Sequence, residues 1–171
     1  MTQSEKGDKR VVIIIMIVVA IFGGIMFLGC GAAIAIPAFV KYLQESKSAE
    51  ATAVTQQIAD HAARSFEEDC EFPPSLPPSA DPASCCGGAK CSADSRAQQQ
   101  WEAAGFVPYE KESYFTYETE RVDASTYLIR ATHDFECGGE MQTHEIRITG
   151  SETDGSCTAE VGSETVTNEF E

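Results

Sequence analysis

Seven cysteines and three histidines carry the most specific chemistry in this chain. Cys30 lies inside an apolar run, and Cys70, Cys85, Cys86, Cys91, Cys137 and Cys157 follow in polar sequence. An even set of cysteines in an exported segment reads as disulfides, so all six are disulfide candidates. Sequence does not choose among the connectivities. A Cys137–Cys157 bridge closing the end of a sheet is preferred, with Cys70 pairing into the loop that carries Cys85, Cys86 and Cys91. "CCGGAKC", ending at Cys91, also raises zinc. Its spacing is not that of two separated Cys-x-x-Cys knuckles, and export favours oxidation, so no metal is assigned.

The histidines are weighed the same way. His61 falls beside Asp60 and near Arg64 on a helical segment and reads as exposed. "THDFEC" sets His133 beside Asp134 and near Glu136, and His144 comes one strand later, so an antiparallel pair could bring the two histidines together. Histidines with carboxylates bind metals, but solvent-facing side chains on polar strand positions are the commoner case. "DFECGGE" offers Asp134, Glu136 and Glu140 to calcium without the alternating Asp/Asn ladder of a strong site. No glycine-rich phosphate loop follows a strand, no nucleophile elbow is present, and no cysteine is flanked for thiolate chemistry. The expectation is a non-enzyme with no catalytic, cofactor-binding or metal residues and no cofactor. "IMFLGC", ending at Cys30, partly resembles a lipoprotein signal with a lipidated cysteine. Phe27 and Leu28 fit that pattern poorly and the sequence after Cys30 stays apolar, which favours a plain buried thiol.

The elements that must position these residues follow from charge and periodicity. The net charge is −15 over 171 residues. Up to Ser46, four basic residues face three acidic ones, so residues 47 to 171 carry −16. A polyanionic domain repels phosphate backbones, which excludes nucleic acid as a partner. Val11 to Val40 contains no charged residue. As a helix it would be about 45 Å long against about 30 Å of hydrocarbon. Gly23, Gly24, Gly29 and Gly31 fall within it. Lys6, Lys9 and Arg10 precede the run and Lys41 alone follows it, so the positive-inside bias puts the N-terminus in the cytoplasm. The expected placement is single-pass in a bacterial cytoplasmic membrane, with residues 42 to 171 outside. Pro37 predicts a kink.

Beyond it, Val54, Ile58, Ala62 and Phe66 recur every fourth residue, flanked by Ala51 and Ala59, which is one apolar stripe on a polar helix. Five of the seven prolines crowd between Pro73 and Pro82, which predicts an irregular loop. "SADSRAQQQWEAAGF" suits a short helix ending at Gly105. The period then becomes two, in Ser113 to Val122, in Ser125 to Asp134 and around Ile146 and Ile148, with a weaker fourth strand from Cys157. Short polar links make these an antiparallel meander.

"MIVVAI" (Met16 to Ile21), "AAIAIPAFVKY" (Ala32 to Tyr42) and "SKSAEA" (Ser46 to Ala51) resemble the N-terminal helix of type IV pilins and of the pseudopilins of type II secretion. "WEAAGFVPYEKESYFTYE", Trp101 to Glu118, is similar to the globular half of pilin-like proteins. The resemblance implies a structural or assembly role in a type IV pilus or type II secretion-like system, with self-association or other pilin-like subunits met through the N-terminal helix. Some pseudopilins bind calcium in a loop comparable to Asp134–Glu140. The family's leader and its glutamate are absent: Gly7 is followed by "DKRVVIII", and no acidic residue lies between Val11 and Val40. The implied protein is therefore an uncleaved, membrane-anchored relative whose helix meets membrane lipid. A second reading is a solitary extracytoplasmic binding or sensing domain, and a third a lipoprotein lipidated at Cys30. The expected fold is α+β and pilin-like: a long N-terminal helix, membrane-spanning and then amphipathic, on a small antiparallel sheet braced by disulfides. Its parts are a cytoplasmic tail (1–10), a transmembrane helix (11–40), a soluble continuation (41–69), a Pro/Cys-rich loop region (70–112) and a sheet region (113–171).

Overall fold

The structure, a computed structural model, describes residues 4–106, 112–135 and 137–167, and side chains from residue 13 onward except 27–35 and 37. One helix, α1, runs Ser4–Asp69 and continues without a break through Pro37. The chain divides into two compact units, Met1–Leu43 and Gln44–Glu171.

In the first unit every large apolar side chain described is exposed. From Ile13 to Met26 these exposures range from 47% at Val18 to 73% at Met26. Ile36, Phe39, Val40, Tyr42 and Leu43 are exposed as well.

The second unit holds the core. The α1 stripe is buried at Ala51, Val54, Ile58, Ala59, Ala62 and Phe66. The helix stops at Cys70, whose backbone turns left-handed (φ 57°) while its N–H donates to the Phe66 carbonyl at 2.8 Å. A left-handed residue after the last turn is a common way to satisfy the open carbonyls of a helix end. A short 3-10 helix, Pro82–Cys85, follows, then β1 (Cys91–Ser92) and α2 (Ser95–Ala103). Asp94 caps α2, accepting from the N–H groups of Arg96 at 2.7 Å and Ala97 at 3.1 Å. Those donors hold its carboxyl below the usual range. Trp101 on α2 buries its ring and donates its indole N–H to the Pro77 carbonyl at 3.0 Å.

β2 (Glu112–Ser113) pairs with β1 in a small two-stranded sheet. The main sheet is antiparallel, in the order β3 (Thr116–Arg121), β4 (Thr126–His133), β5 (Gln142–Thr153), β6 (Ser156–Val161). The weak last strand is split: β6 pairs with Ile148–Thr153, and β7 (Thr165–Thr167) pairs with Thr143–Glu145 on the same edge of β5. Between them the Gly162 N–H donates to the Arg147 carbonyl at 2.8 Å. A Cβ on Gly162 would sit 2.8 Å from that oxygen, so the chain passes there only as glycine.

Alternation sorts the sheet's faces. Tyr127, Ile129 and Ala131 of β4 and Ile146 and Ile148 of β5 join the α1 stripe in one core. Phe72 stacks between Phe66 (4.4 Å) and Tyr127 (5.3 Å). At Gly150 the strand comes so close to α1 that a Cβ would lie 2.4 Å from the Phe66 ring. On the other face Arg130 bridges Glu118, Glu120 and Glu145 at 3.0–3.5 Å.

The α-helix, the antiparallel sheet and the disulfide bracing are present. The expected membrane-spanning segment is not: among the described residues no helix is long and apolar enough to cross a membrane. This overturns the transmembrane helix assigned to 11–40, the pilin-like fold class built on it, and the single-pass placement with residues 42 to 171 outside.

Candidate functional site

Three disulfides form: Cys70–Cys157, Cys85–Cys91 and Cys86–Cys137. The preferred Cys137–Cys157 pairing is corrected. Cys70, at the end of α1, faces β6 with its Cα 5.4 Å from that of Cys157. Cys137, just past β4, reaches Cys86 instead, where the Gly87 N–H donates to the Asp134 carbonyl at 3.0 Å. Cys70 and Cys137 are both in the left-handed region. The Cys30 side chain lies outside the described residues.

The segment from Asp81 to Cys91 builds the densest chemical cluster. The Asp81 carboxylate accepts from the Ala83 N–H at 3.0 Å and starts the 3-10 turn that buries Cys85. β1 carries Cys91 back into register with Ser113 of β2. His133 ends β4 beneath them. The two sulfurs and a ring nitrogen of His133 all lie within 4.8 Å of one another. Cys85 and His133 are completely buried, and Cys91 nearly so. Thr116 Oγ1 stands 4.0 Å from Cys85 Sγ and 3.7 Å from Cys91 Sγ. The His133 ring packs against Phe135 (4.0 Å) and Phe115 (5.5 Å). Neither of its nitrogens has a well-formed hydrogen bond. Burial pushes its pKa below the ordinary histidine value. The Tyr114 backbone opposes that, Lys47 adds to it, and Asp134 opposes it.

His144 is the second buried histidine. Its Nδ1 meets Glu164 Oε1 at 2.8 Å, and its Nε2 has no partner. The break between β6 and β7 is what turns Glu164 inward, where its other oxygen accepts from Thr52 of α1 at 3.0 Å. The expected solvent-facing placement of His133 and His144 is therefore corrected: both lie on the core face around Phe115. The signal was in the sequence. His133 continues the parity of Tyr127, Ile129 and Ala131, and His144 that of Ile148 and Ile146. His61, expected exposed, is half-buried against Phe106 at 4.6 Å and under Gly105.

In the acidic loop after β4 the described geometry concerns Asp134. Both oxygens of Asp134 are engaged by the N–H groups of Gly138 (3.2 Å) and Gly139 (2.8 Å), which closes the turn. Glu136 lies outside the described residues. Lys47 and Glu50 of α1 tie the region down. Lys47 Nζ donates to the Gly88 carbonyl at 2.8 Å and lies over the Tyr114 ring at 4.7 Å, and Glu50 accepts from the Tyr114 N–H at 2.9 Å.

The other candidate surface is the N-terminal part of α1. Eleven large apolar side chains between Ile13 and Met26 are exposed on all sides of the helix. At Gly23 and Gly24 an added Cβ would meet nothing within 4 Å. No protein-family model, curated protein or solved structure matches this chain.

Proposed function

We propose that this chain is a structural or assembly protein that associates with further copies of itself, in the manner of pilin and pseudopilin subunits, through the N-terminal part of α1. The observation that carries the reading is the all-round apolar surface of Ile13–Met26. Monomeric soluble proteins rarely expose contiguous apolar surface on this scale, and such surfaces mark interaction sites. Burying half of those eleven side chains at about 1.5 kcal/mol each contributes about 8 kcal/mol. That falls within the range of roughly 4–15 kcal/mol that association costs in lost freedom. Each further helix packed on the remaining faces adds a similar increment, so the surface favours assemblies over dimers. The resemblance of Ala32–Ala51 and Trp101–Glu118 to pilin-like proteins points the same way.

The test is sedimentation velocity on the full, oxidised chain in mild non-ionic detergent, beside bis-maleimide crosslinking of C30S variants with one added cysteine at Val18 or Phe22. The expected result is oligomers for the parent, crosslinked dimers from both cysteine variants, and a monomer for I17D/I21D with its three disulfides intact. A strictly monomeric parent without crosslinks would overturn the proposal and leave a solitary binding or sensing domain.

A further inference from the structure

We propose that Cys85, Cys91 and His133 form a zinc site that opens when the Cys85–Cys91 disulfide is reduced. Three observations converge on it. The three donors already lie within 4.8 Å of one another, from three separate elements: the 3-10 turn, β1 and the end of β4. The histidine is completely buried and neither ring nitrogen makes a well-formed hydrogen bond. A poorly satisfied buried polar group is costly, and a metal bond to the imidazole would remove that cost. Finally, Thr116 Oγ1, within 4.0 Å of both sulfurs, stands where a neutral fourth donor is needed.

The chemistry of the donor set selects the ion. Two thiolates, a neutral imidazole and Zn²⁺ sum to zero charge, so the filled site suits its dry surroundings. The same ligands around Cu(I) would leave one net negative charge buried, which is costly. Thiolate and imidazole are good zinc ligands, and hard cations such as calcium or magnesium would be refused. Lys47 and Asp134, the charged groups acting on His133, oppose each other there.

The redox step balances. A dithiol reductant attacks one sulfur, breaks the S–S bond and forms a mixed disulfide. Its second thiol then displaces the remaining cysteine and the reductant leaves as its own disulfide. Two electrons and two protons end on Cys85 and Cys91. As free thiols they have carbonyl acceptors in reach, Pro82 at 3.4 Å from Cys85 Sγ and Tyr114 at 3.5 Å from Cys91 Sγ. Zn²⁺ then replaces the two thiol protons, which pass to solvent. With Zn–S bonds near 2.3 Å the sulfurs move to about 3.8 Å apart. The loop between them contains Gly87 and Gly88 and is largely exposed, so it can admit a reductant.

The experiment titrates Zn²⁺ alone into the full chain under anaerobic phosphine reduction, and repeats the titration with Co²⁺ for its spectrum. The expected result is one metal per chain, protection of Cys85 and Cys91 from alkylation, and a cobalt spectrum with thiolate charge-transfer and tetrahedral visible bands. C86S/C137S should bind equally well. H133F should weaken binding at least about tenfold and should fold in the oxidised state, since it replaces a buried ring with an apolar one. The parent's cobalt spectrum stands as a separate readout if it does not fold. Absence of binding by the reduced parent, equal binding by folded H133F, or protection centred on Cys86 and Cys137 would each overturn the site.

Discussion

Two stretches of the same helix, Ile13–Met26 and Ala51–Phe66, solve the problem of apolar side chains in opposite ways. In the second, apolar residues recur every fourth position. Val54, Ile58 and Phe66 are 3–6% exposed because strands β4 and β5 and the Phe72 ring cover them. In the first, apolar residues occupy every face, and no side chain of that stretch is buried. The difference teaches that periodicity matters more than hydrophobic content for self-sufficient packing. A one-sided stripe can be covered by a single sheet. A helix apolar on all sides needs several neighbours, and one small domain does not supply them.

The largest expected effect on the buried side comes from C70S/C157S. The bridge closes a separation of 87 residues and ties the end of α1 to β6, so its removal costs about 4 kcal/mol or more. Urea unfolding of the oxidised variant measures it. Phe66→Ala is next, at about 3–5 kcal/mol, because it empties a ring packed on Phe72 and on Gly150. Ile17→Ala, at 53% exposure, should change the unfolding free energy of the Gln44–Glu171 unit by less than about 0.5 kcal/mol. If the two variants cost equally, the contrast between the stretches is broken. Gly150→Ala drives a methyl into the Phe66 ring and should cost about 1–3 kcal/mol. Phe66→Leu in the same chain should recover part of that loss, which a double-mutant cycle would resolve.

The pH dependence sharpens the comparison within the core. His133 is buried with a depressed pKa, so below the ordinary value of 6.5 the unfolded chain takes up a proton that the folded chain refuses. Stability therefore falls as pH drops from 6.5 toward the folded pKa, by at most about 1.4 kcal/mol per pH unit. H133F should flatten that slope in urea midpoints taken across the window. An unchanged slope would mean that another group carries it.

Much of the core was legible from residue types. The stripe at Val54, Ile58, Ala62 and Phe66 and the alternation of Tyr127, Ile129 and Ala131 each assign a face without reference to a partner. The histidines were harder to read, because a polar residue at a core parity looks like the end of an apolar pattern. The parity of His133 carries that signal, and the aromatic nest of Phe115 and Phe135 shows what the ring packs against. The cysteine pairing was hidden for a different reason. Cys70 and Cys157 are distant in sequence and become neighbours only when α1 and β6 occupy the same end of the core.

The amino-acid order alone determined the long helix, the loop of prolines, the antiparallel strands and the six bridging cysteines. Each of these depends on local periodicity, on backbone chemistry or on the count of thiols. Tertiary structure decided which sulfurs meet, that β6 and β7 share one edge, and that Cys85, Cys91 and His133 converge in a dry pocket. Those outcomes depend on distances between segments far apart in the chain, which no local pattern encodes.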